Sequence, residues 1–220
     1  MAKVKTAQAL TPKRPMPPAE IGDFIDGRRM PAYMPAHEMS QWVHETFLRP
    51  GAPLHNEEHQ HLIDADIGFL WAAEAYTKQM RRILGLTEEV LFRVGRWQKG
   101  RQEQQMEEWF GRVPRWLITL DANYCGSCSD VEFCALVEHE LYHIGQERDA
   151  FGAPKFTQEG LPKLAMRGHD VEEFIGVVRR YGIGESTGAL ARMIAAGKAG
   201  PEVAQLNVSQ ACGTCLARSA

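Results

Sequence analysis

No run of apolar residues in this 220-residue chain approaches the roughly 20 that a membrane-spanning helix requires. The N-terminal stretch also lacks the apolar core of a signal peptide, so a cytoplasmic location with no membrane partner is the expectation. A charge excess of either sign is missing too. The formal net charge of −3 argues against strong non-specific nucleic-acid binding. Arg81, Arg82, Arg93, Arg96, Lys99 and Arg101 could form a basic patch but read more simply as solvated charges. There is no internal repeat, and no thioredoxin-like βαβ pattern surrounds any cysteine. The length suits one well-buried domain with tails.

Against this ordinary background, His139-Glu140-Leu141-Tyr142-His143 has the HExxH form within an apolar run. On a helix, residues i and i+4 share a face, so His139 and His143 can grip one metal ion. Glu140 is rotated about 100° from His139 and could reach a metal-activated water as general base. The flanks support a buried amphipathic helix. Ser129-Asp130-Val131-Glu132 has the form of a capping box, and Phe133, Leu136, Val137, Leu141 and Ile144 follow at helical spacing. Upstream, Trp116–Ala122 is short, apolar and preceded by Pro114, which predicts a strand beside the helix that could pair with an extended peptide.

Two histidines leave a catalytic zinc one protein ligand short. A metzincin would need glycine at 146 and histidine at 149, where this chain has Gln146 and Asp149. His169 is the remaining downstream histidine, just before a helix predicted from Asp170, Glu173, Phe174, Val177, Val178 and Tyr181. Glu172, Glu173 and Asp149 are the carboxylate alternatives. The intervening stretch carries Gly152, Pro154, Gly160 and Pro162 and reads as a loop, with a possible hairpin of 155–157 against 163–165. Arg179 and Tyr181 are candidate oxyanion donors.

The pairing of HELYH with Gly168-His169-Asp170-Val171-Glu172-Glu173-Phe174 resembles the phage metallopeptidases, a group similar to the SprT-like zincins, over about residues 39–182. The resemblance implies that His139, His143 and His169 hold Zn²⁺ and that Glu140 is the general base. It implies zinc-dependent hydrolysis of peptide bonds in a protein or peptide substrate. A phage-encoded enzyme would act in the host cytoplasm. Proteolysis of DNA-bound proteins is a further analogy, although no nucleic-acid module is visible. The rival is a non-catalytic, zinc-stabilised interaction protein of phage origin.

The expected fold is α+β: a zincin-like domain with the HExxH helix packed on a small sheet and helical flanks at both ends. Residues 1–36, rich in proline and lysine, are expected to be a flexible arm, 37–185 the metallopeptidase domain, and 186–220 a helical tail ending in a C-x-x-C. Helices are expected over 38–48, 57–84, 186–196 and 202–206, and a strand over 90–97. Of five cysteines, Cys134 reads as a core residue, whereas Cys125, Cys128, Cys212 and Cys215 form two C-x-x-C pairs. These pairs are candidates for a second, structural zinc, with a disulfide or free thiols as alternatives. His55-Asn56-Glu57-Glu58-His59, followed by His61, has the inverted H-x-x-E-H form but reads as the polar start of a helix.

Overall fold

The computed structural model describes residues 13–78, 81–171 and 188–203, and it is a mixed α+β structure. Arg14 ties the beginning of the chain down. Its guanidinium donates to the Cys128 carbonyl at 2.7 Å, meets Asp130 at 2.9 Å and lies over the Phe133 ring. A two-residue hairpin follows, β1 (Phe24–Ile25) with β2 (Arg28–Arg29), and then β3 (Tyr33–Pro35) enters the main sheet.

Helix α1 (His37–Val43) runs on through a π-helical turn at His44–Leu48, as the apolar spacing predicted. The next stretch departs from expectation. Instead of one helix over 57–84 there is a 3₁₀ turn at Glu57–Leu62, strand β4 (Ile67–Ala72), and the hairpin β5 (Tyr76–Lys78) and β6 (Arg81–Ile83). The reason is burial on both faces. β4 lies inside the sheet, and a strand covered on both sides is a continuous apolar run that shows no alternation. The strand expected over 90–97 is displaced as well. It is β7 (Gly85–Glu89), after which the chain is irregular until α2 (Arg96–Phe110). Glycine and two glutamates hid β7, because only alternate residues of an edge strand need be apolar.

β8 (Trp116–Asp121) completes a sheet of order β3-β4-β8-β7, with β4 and β8 parallel and the other pairs antiparallel. One face presents Phe69, Trp71, Trp116, Ile118 and Leu120 to the core, where Trp42 and Phe47 of the first helical segment meet Phe133. The opposite face carries Leu70, Leu117 and Thr119, roofed by Met106 and Trp109 of α2 over a cavity of about 290 Å³. β8 is interior, so its main chain is shared between β4 and β7 and cannot pair with a peptide. β7 is the edge strand on that side.

After β8 come α3 (Ala122–Ser127), α4 (Asp130–Tyr142), β9 (Ile144–Gln146) and β10 (Leu164–Met166), and finally α5 (Ala189–Ala199). α5 begins a little later than predicted. Glu202 and Val203 form a bend, and 204–206 lie outside the described residues, as do 172–187. Among the described residues no helix is long and apolar enough to cross a membrane.

Candidate metal centre

The helix that carries His139 starts where the sequence places it. Ser129 Oγ accepts from the Glu132 amide at 3.3 Å, and the Glu132 carboxylate accepts from the Ser129 amide at 2.8 Å. Each satisfies a backbone donor that a helix start leaves exposed. Phe133, Val137 and Leu141 are fully buried beneath this helix, which fixes its rotation about its own axis. His139 and His143 consequently share the face turned from the core, with ring centroids 5.0 Å apart.

His143, 2 % exposed, is positioned from both ends. It is the residue at which α4 stops, and the chain leaves directly into β9. β10 pairs antiparallel with β9, Met166 opposite Ile144, and the ladder continues with the Arg167 amide donating to the His143 carbonyl at 2.8 Å. The His143 Nδ1 returns the contact by donating to the Arg167 carbonyl at 2.7 Å. With the proton held on Nδ1, the lone pair of His143 is on Nε2, the tautomer suited to ligation.

Two residues beyond Arg167, the same hairpin presents His169. Its Nε2 lies 3.2 Å from that of His139, which in turn lies 3.3 Å from that of His143. Three ring nitrogens thus converge within 4.8 Å of one another, one per residue. Four-coordinate zinc with bonds of about 2.0–2.1 Å holds its nitrogens about 3.3 Å apart, so the spacing suits that ion. Electrostatics suit it as well. Burial, then the neighbouring rings of His143 and His169, push His139 down to about 4, leaving the imidazole neutral near pH 7 and free to ligate.

Glu140 is fully buried and turned toward the edge strand. Thr87 of β7 places its hydroxyl 2.8 Å from Oε2 and 2.9 Å from the Glu140 carbonyl. A Cβ on Gly85 would stand 2.5 Å from Oε1, so the carboxylate occupies space that only glycine leaves. The histidines face a cavity of about 380 Å³ whose walls include Glu58, Tyr142, Arg167 and Met193, and Glu140 is not part of that lining. Gly85, Thr87 and Arg167 carry no local sequence pattern that marks them, and Glu58 is marked only as the glutamate of the H-x-x-E-H segment, with nothing there to place it beside His139.

The H-x-x-E-H segment does not join the cluster. His59 is buried against Tyr142, 4.4 Å between centroids, with Nε2 3.5 Å from Glu138, and His61 Nε2 lies 2.7 Å from the Ile144 carbonyl. These rings brace α4 and β9 instead of binding metal. Asp149 is spent on a turn, accepting from the amides of Phe151 and Ala153. The expected hairpin exists in part: Phe156 bridges Pro162, but the partner of β10 is β9, a strand the sequence did not announce. Cys134 is buried as expected. Cys125 is buried and Cys128 half-buried, and desolvation raises both thiols. Cys212, Cys215, Glu172, Glu173, Arg179 and Tyr181 lie outside the described residues.

A family model described as putative phage metallopeptidase matches residues 40–196, which include the second half of α1, the main sheet from β4 onward and the three histidines. No curated protein and no solved structure matches the chain.

Proposed function

The chain belongs to the putative phage metallopeptidase family, and we propose that it is a zincin-like peptidase that cleaves peptide bonds in a protein or peptide with Zn²⁺ held by His139, His143 and His169. The observation that carries this reading is the convergence of the three Nε2 atoms, 3.2 and 3.3 Å from the central one. When bound, zinc supplies a Lewis acid that polarises the scissile carbonyl and makes water acidic enough to attack near neutral pH. The protein's own groups do the rest. His143 is held in its ligating tautomer by the Arg167 carbonyl. Glu140 is the general base in this proposal, taking the proton of the attacking water and passing it to the leaving amine, with Thr87 orienting the carboxylate. β7, the edge strand next to Glu140, is where an extended substrate would pair.

One observation favours a second reading. Glu140 is fully buried and stands apart from the cavity lining, as it would in a zinc-stabilised interaction protein without turnover. The two readings part on a single experiment, in which metal content and hydrolysis of a denatured-protein substrate are measured for wild type, His169→Ala and Glu140→Gln. The peptidase reading expects zinc in wild type and Glu140→Gln, loss of zinc in His169→Ala, and hydrolysis in wild type alone. Zinc without hydrolysis in wild type favours the interaction protein, and wild type without zinc overturns both.

A further inference from the structure

Apart from the histidines, the metal-site cavity has one feature the proposed chemistry does not use. Its wall carries a carboxylate that is fixed in place and that has no ion-pair partner among the described residues. Glu58 comes from the 3₁₀ turn of the H-x-x-E-H segment and is exposed to the cavity. The Tyr142 hydroxyl donates to its Oε2 at 2.7 Å. Tyr142 is itself fixed by Asn56, whose Nδ2 donates to the phenol oxygen at 2.8 Å and to Glu138 at 2.9 Å. Asn56 Oδ1 accepts from the Glu58 amide at 3.0 Å, so the same amide side chain orders both ends of the contact. Tyr142 lies three residues after His139 and therefore on nearly the same helix face. The carboxylate consequently stands at the rim of the three histidines.

The other charges of this wall cancel. Arg167 and Asp170 form an ion pair at 2.7 Å, and the Arg167 guanidinium lies over the Tyr142 ring. Val171 and Met193 supply apolar surface beside them. Among the described residues other than the three histidines, the side chains of this wall therefore sum to −1, borne by Glu58 at the rim, to which a bound Zn²⁺ would add its own positive charge at the histidines. A cavity of about 380 Å³ with an apolar flank and one held carboxylate is built for a long side chain with an apolar stem and a cationic end.

We propose that Glu58, positioned by Tyr142 and Asn56, is a specificity determinant that selects substrates with a lysine or arginine next to the scissile bond. This rests on the peptidase reading, and it gives the segment 55–59 a role: recognition of substrate charge at the rim of the three histidines. The attraction acts in a solvent-exposed setting, so its effect is about fivefold for a cationic residue over a neutral one, and it weakens as salt is raised.

The test uses the zinc-supplied Glu140→Gln protein, in which binding is read without turnover. Fluorescent octapeptides of alanine and serine, with a single Lys, Gln or Glu walked along the sequence, are titrated by anisotropy. In one register Lys should bind about tenfold tighter than Glu. Adding Glu58→Gln should reduce that ratio to about twofold, since glutamine still accepts from Tyr142 and the wall keeps its shape, and Glu58→Arg should reverse it. A Lys preference that survives Glu58→Gln, or no preference at any register, overturns the assignment. Cleavage assays on otherwise wild-type protein separate this from failure of the peptidase reading. Cleavage without basic preference sinks only the role of Glu58, whereas Glu58-dependent binding without cleavage sinks only the peptidase.

Discussion

Gly85 decides where Glu140 can be. A methyl group there would stand 2.5 Å from Oε1 and 2.9 Å from the carboxyl carbon, so Gly85→Ala must push the carboxylate or the edge strand aside. The expected result is a fall in peptide hydrolysis of about 10²-fold, with zinc content unchanged by elemental analysis. Thr87→Val removes the hydroxyl at 2.8 Å from a fully buried carboxylate, at a cost of about 1–3 kcal/mol in urea unfolding. His139 gives a pH signature. Its pKa in the metal-free fold is about 4, below the 6.5 of a free imidazole. The unfolded chain therefore takes up this proton first as pH falls. Stability contributed at this site is intact above pH 6.5 and declines as pH drops toward 4, beyond which both states are protonated. Thermal melts of metal-free wild type and His139→Asn between pH 7 and pH 4 test this, and a variant as pH-sensitive as wild type would refute it.

At the scale of elements, the helix of His139 and His143 is set by its cap and the third histidine by a hairpin. Ser129→Ala deletes the side-chain acceptor for the Glu132 amide and should cost about 1 kcal/mol in thermal or urea unfolding, leaving zinc affinity nearly unchanged. Gly145 behaves oppositely. It lies opposite Ala165 in the β9–β10 ladder, and a Cβ there would stand 3.1 Å from the Cβ of Arg167. Gly145→Val should spread the hairpin at the point where His143 and His169 are brought together, and weaken zinc binding by about tenfold in a competition titration. Legibility in the sequence follows the same division. α4, its cap and its buried stripe were readable because they depend on residues within one helix. The helical run over 38–48 and the strand β8 are readable for the same local reason, although the π-helical form of its second half is not. β4 reads as helix in the sequence because burial on both faces erases alternation, and β7 gives no strand signal because its apolar positions are only half the strand. Glu58 and Arg167 were invisible as cavity residues, since their proximity to His139 depends on chain segments more than 25 residues away.

In the whole molecule, the sheet separates two different environments. On one side Trp42, Trp71, Trp116 and Phe133 pack into the core beneath the metal helix. On the other, α2 has no buried residue and leaves a cavity beneath it, so that face is the less firmly closed. The metal site bridges α4 and the β9–β10 hairpin, which zinc would clamp together. Zinc at about 100 times its dissociation constant should therefore stabilise the fold by about 2.7 kcal/mol over the chelated protein, read as a rise in melting temperature that His169→Ala abolishes.

The β9–β10 hairpin has a further consequence. The hairpin residues that position His143 and His169 are at its base, from His143 to Gln146 and from Leu164 to His169, whereas the chain between forms two outer turns closed by the bridges Arg148 to Pro154 and Phe156 to Pro162, and Phe151 in the first of them is 96 % exposed. Ligand geometry is thereby insulated from tip length. The outer turns form an interchangeable cassette beside the three-histidine cavity, in which sequence could be inserted, shortened or replaced, and new contacts acquired, without moving the histidines.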